Sequence, residues 1–111
     1  MNYELTQKLM EAANKVEEIG SLYAEAKALS WLLQEQKKVV LASQMKISEC
    51  KSAVERETNA LCSEVYKNHL EGTKEAIADE LRLKAQMSKW EYSFEGYRSL
   101  MSLEKMKVNV L

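Results

Sequence analysis

Proline is absent from this chain of 111 residues, and only 3 glycines occur in it. Turns draw heavily on those two residues, so a chain this poor in both holds few of them. Cysteine is scarce too. Cys50 and Cys62 stand 12 positions apart, without the close spacing of a zinc or redox pair, and are expected to be free thiols. No apolar run approaches the roughly 20 residues that a membrane span needs. Glu4 and Lys8 interrupt any signal-peptide pattern near the start. The expectation is a soluble cytoplasmic protein with reduced thiols.

An excess of either charge is also missing. Sixteen Lys and Arg stand against seventeen Asp and Glu, for a net charge of −1. Residues 1–60 hold eight basic and nine acidic side chains, and residues 61–111 hold eight of each. Nucleic-acid binders usually carry a basic surplus, because neutralised phosphates supply most of their affinity. Direct DNA or RNA binding is therefore an alternative reading here and not the leading one.

What is abundant is Leu, Glu, Lys, Ala, Ser and Met, of which all but Ser favour helices. Counting in sevens, Leu5, Ala12, Ile19, Ala26, Leu33, Val40, Ile47, Val54 and Leu61 are all apolar. A repeat of that length marks a helix burying one stripe along its course. A companion stripe runs through Leu9, Val16, Leu22 and Leu29, then thins at Gln36, Ser43, Cys50 and Glu57. Gly20-Ser21 could end a short N-terminal helix at residues 3–19, yet the heptad passes through without a slip, which favours a continuous or kinked helix. A break is expected between Thr58 and Ser63, where Ser63 followed by Glu64 reads as an N-cap with an acidic first turn. Beyond it Tyr66, Leu70, Thr73, Ile77, Leu81, Met87, Trp90, Phe94, Tyr97 and Met101 recur at three- and four-residue steps. Val108-Asn109-Val110-Leu111 reads as a frayed or docking tail.

The predicted fold is all-α: one domain over residues 1–111, built as a long antiparallel, coiled-coil-like helical hairpin. Its first arm covers about 3–58, with a possible kink at 20–21, and its second about 64–105. Apolar residues off the main stripe, among them Trp31, Leu32, Val39, Leu41, Leu83, Leu100 and Leu103, suggest a third helix packing back or a four-helix bundle made by self-association. A homodimer is expected.

Catalytic chemistry finds little support. His69, the single histidine, has Val65, Tyr66, Gly72 and Thr73 as helical neighbours, none of them a metal or triad partner. There is no glycine-rich phosphate loop and no Ser-His-Asp set. No enzyme activity, cofactor, metal, membrane association or small-molecule substrate is expected. Lys37-Lys38, with Lys46 and Lys51, could form a basic stripe, although Glu35, Glu49 and Glu55 interleave with it as on a solvated face. Aromatic residues gather at Trp90, Tyr92, Phe94 and Tyr97, between Lys89 and Arg98. Trp90, Phe94 and Tyr97 share a stripe and read as core, where the open end of the hairpin would meet Leu22, Tyr23 and Trp31. The residues expected to meet a partner are Trp31, Lys37, Lys38, Tyr92 and Arg98.

Glu55-Arg56-Glu57, Ala60, Tyr66, His69-Leu70-Glu71-Gly72, Glu75-Ala76 and Glu95-Gly96-Tyr97-Arg98-Ser99, preceded by Ala24, Lys27, Lys37 and Ala42, form a pattern. It resembles that of small helical-hairpin proteins of bacteriophages and prophages, often encoded near recombination and replication genes. The resemblance covers about residues 20–105. It departs at Tyr97-Arg98, where the pattern has Trp-Arg. It implies a phage accessory protein acting on a phage or host protein of nucleic-acid metabolism or defence, as a recombination accessory or an inhibitor, and it implies no catalytic residue. A structural component of a virion or its assembly is a further alternative.

Overall fold

A computed structural model describes the backbone of residues 2–110 and the side chains of residues 2–107. Among the described residues all regular structure is helical: α1 (Tyr3–Ile47), α2 (Ala53–Leu61) and α3 (Glu64–Val110). α1 and α3 lie against each other as an antiparallel hairpin. The expected tail at Val108–Leu111 falls outside the described side chains, though the backbone of α3 is helical to Val110.

Asn2 starts α1. Its side-chain oxygen accepts from the Leu5 N–H at 3.1 Å, the N-cap bond that satisfies a free donor of the first turn. The helix then runs 45 residues unbroken, so residues 3–19 form no separate helix. Gly20 is not a C-cap. None of the glycines has a positive φ, and a Cβ at Gly20 would meet Met87 Sδ at 3.8 Å.

The first arm does not reach residue 58. α1 stops at Ile47, and five residues intervene before α2. Polar side chains shape this segment. Ser48 Oγ accepts from the Cys50 N–H at 3.4 Å, and the Asn59 amide donates to Cys50 Sγ at 2.9 Å and to Ser48 Oγ at 3.5 Å. Ser52 is extended (φ −78, ψ 136) and begins α2. The expected break near residue 63 is present as well. There the Ser63 hydroxyl donates to the Ala60 carbonyl at 2.7 Å and accepts from the Tyr66 N–H at 3.2 Å, so one side chain ends α2 and caps α3.

The chain divides into two compact units, residues 25–80 and residues 1–24 with 81–111. In the first, the His69 Nε2–H donates to the Leu33 carbonyl at 2.8 Å across the two helices. A carbonyl only accepts, so Nε2 carries the proton. Residue 51 lies midway between those partners in sequence, inside the segment where α1 ends. The chain therefore folds back at Ser48–Ser52, about ten residues earlier than the sequence suggested. Trp31 consequently lies at the level of the residues just after His69, and not beside Trp90–Tyr97. Ser30 is fully buried, with its hydroxyl accepting from the Gln34 amide at 3.0 Å. Tyr66, Ala60 and Ala76 complete the buried set of this unit.

In the second unit, Leu5, Ala12 and Ile19 are buried, with Leu9, Val16, Met87, Trp90, Phe94 and Tyr97 half-buried. The Asn2 amide donates to Glu104 Oε1 at 3.2 Å between α1 and α3.

The heptad is stricter than hydrophobicity alone suggests. On α1 the companion stripe keeps its count through Leu9, Val16, Tyr23 and Ser30, while Leu22 and Leu29 face solvent. On α3 the inward positions are Tyr66, His69, Thr73, Ala76, Glu80 and Leu83, while Leu70 and Leu81 are exposed. The main stripe holds to Val40. Its last three steps are exposed: Ile47 is the final residue of α1, and Val54 and Leu61 belong to α2, beyond the break.

Candidate partner-binding faces

In the unit of residues 25–80, Trp31 and Lys38 lie seven apart on α1 and so share a face. Trp31 is 63% exposed, and Lys38 is exposed too. Lys37 falls in line with Tyr23 and Ser30 at seven-residue steps, a position aimed toward α3, yet it is exposed. A shallow groove of about 470 Å³ explains this, lined by Gln34, Lys37, Leu70, Thr73, Lys74 and Ile77. Two ammonium-bearing side chains, an amide and a hydroxyl line it together with the apolar Leu70 and Ile77. That chemistry suits a partner offering a carboxylate beside an apolar side chain. Lys74 and Gln34 escaped the sequence reading, and Thr73 entered it only as a stripe position and a neighbour of His69, because their neighbourhood with Lys37 exists only once the fold-back point is known.

In the unit of residues 1–24 and 81–111, Tyr92 is 80% exposed. Arg98 is exposed and pairs with Glu95 at 2.9 Å. Six residues separate Tyr92 from Arg98, so they stand about 120° apart around α3 and do not form one patch. The Lys89 ammonium sits 5.6 Å from the Trp90 ring centroid, which covers part of that face with a cation–π contact. A second groove, of about 290 Å³, is lined by Ala13, Val16, Glu91, Phe94 and Glu95, two of them acidic.

Cys50 and Cys62 are both free, Cys50 half-buried and Cys62 exposed. Among the described residues no three His, Cys, Asp or Glu side chains gather to hold a metal ion. No described helix is long and apolar enough to cross a membrane. No protein-family model matches this chain, no curated protein is detectably similar to it, and no solved structure matches it.

Proposed function

We propose that this protein works by binding another protein through helical faces that its own hairpin leaves uncovered. The observation that carries this is the imbalance between core and surface. Among the described residues the buried apolar side chains are Leu5, Ala12, Ile19, Ala60, Tyr66 and Ala76, half of them alanines, while Trp31, Leu32, Val39, Leu70, Tyr92 and Leu103 are among the large side chains exposed. Single exposed apolar residues are ordinary, but aromatic and aliphatic side chains in number favour a binding surface. Trp31 beside Lys38, the Lys37–Lys74 groove and Tyr92 are the anchors we assign. The resemblance to phage hairpin proteins supplies the biological setting: an accessory protein engaging a phage or host protein of nucleic-acid metabolism or defence, acting without catalysis. The balanced net charge of −1 supports a protein partner over nucleic acid.

Affinity capture from phage-infected bacteria tests this. The tagged protein should retain a discrete partner that Trp31→Ser and Tyr92→Ser variants lose, while both variants keep their helical circular dichroism. Truncating an interface anchor typically costs 2 kcal/mol or more, a loss of roughly thirtyfold in affinity. A capture profile unchanged by both substitutions would sink the assignment.

A further inference from the structure

A second heptad seam runs along α1, outside the one that faces α3. Leu29, Leu32, Gln36, Val39 and Ser43 follow at steps of three, four, three and four, and all are exposed. Leu32 is 45% exposed and Val39 64%. Glu25 precedes this row and Lys46 follows it at the same spacing, with no charged residue on the row between them. A helix with one apolar seam needs one neighbour, and a helix with two seams needs two.

We infer that a second copy of this chain occupies the row, its α1 packed antiparallel so that the two-fold axis passes beside Gln36. The row is self-complementary about that point, as an isologous interface requires. Leu32 and Val39 are centred between Glu35 and Gln36, so each Leu32 meets the other copy's Val39. Glu25 and Lys46 are centred on the same point, so each Glu25 meets the other copy's Lys46. A parallel arrangement would instead set Glu25 against Glu25 and Lys46 against Lys46. Paired Gln36 amides at the axis can hydrogen-bond to each other, a polar contact of the kind that fixes register in coiled coils.

Trp31 and Tyr92 are not on the row, so this inference and the partner assignment can fail separately.

Sedimentation equilibrium and a charge swap test it. The protein should sediment at twice 12.8 kDa, and Leu32→Glu with Val39→Glu should give a helical monomer. Glu25→Lys alone, or Lys46→Glu alone, sets like charges together at both symmetry-related pairs and should weaken the dimer roughly tenfold. The two together on one chain should restore it to near the parent affinity. A monomer at every concentration, a dimer indifferent to Leu32→Glu and Val39→Glu, or a double swap no tighter than the singles each overturns the inference.

Discussion

Replacing Tyr66 with alanine should cost about 3–5 kcal/mol, the range for deleting a buried aromatic side chain. Tyr66 is 5% exposed, the largest side chain in the buried set of its unit, and it sits in the first turn of α3. The Ser63 cap fixes that turn through the Tyr66 N–H, so the ring is anchored by its own backbone as well as by burial. Its companions in the buried set, Ala60, Ala76 and Ser30, are small and cannot collapse into the space it would leave. Small domains are held by only about 5–15 kcal/mol, so the loss takes a large part of the total. Tyr66→Phe keeps the ring and should stay within about 1.5 kcal/mol of the parent, as shape-conserving swaps do. Urea unfolding followed at the helical circular dichroism band would settle it. A Tyr66→Ala midpoint close to the parent's would mean that the ring is not what holds this end together.

The second large effect has the opposite sign. Gly20, Gly72 and Gly96 all lie inside helices, and none needs a positive φ. Glycine in a helix interior costs about 0.8–1 kcal/mol relative to alanine, through the backbone freedom it loses on folding. A Cβ at Gly72 or Gly96 meets nothing within 4 Å, and at Gly20 it makes an ordinary 3.8 Å contact with Met87 Sδ. The triple alanine variant should therefore gain about 2–3 kcal/mol and melt on the order of 10 °C higher. If Gly20→Ala alone lowers the melting temperature, the two helices approach there more closely than one methyl allows.

Much of this architecture is legible in the residues, and the errors have a common cause. The absence of proline, the heptad from Leu5 to Val40, the Ser63 cap and the inward stripe of Trp90, Phe94 and Tyr97 all lead to a helical hairpin. The fold-back point does not follow from them. Ile47, Val54 and Leu61 continue the count of seven across the break, so hydrophobicity reports one helix where there are two. The signal against it was local and polar: Ser48 and Ser52 flank the break, and Asn59 reaches back to Cys50. The same bias misplaces Leu22, Leu29, Leu70 and Leu81. A seam accepts serine, threonine or histidine where those groups find hydrogen bonds, as Ser30 and His69 do, and it leaves the leucines beside them on the outside. Trp31 and Tyr92 are exposed as large aromatics rarely are, but the Lys37–Lys74 groove needed the helix register before it could be seen.

The position of the fold-back also sets an order of assembly. The Asn59–Cys50 bond joins residues 9 apart, the His69–Leu33 bond residues 36 apart, and the Asn2–Glu104 bond residues 102 apart. Closing a loop costs entropy as the logarithm of its length, so going directly from an open chain to the last bond costs about 1 kcal/mol more than going to the second. The chain should zip from the turn outward, and each closed pair shortens the loop that the next must close. Pulse-labelled hydrogen exchange during refolding would then show amides of residues 25–47 and 64–80 protected before those of residues 3–24 and 81–105. Simultaneous protection of both sets would mean that folding starts elsewhere.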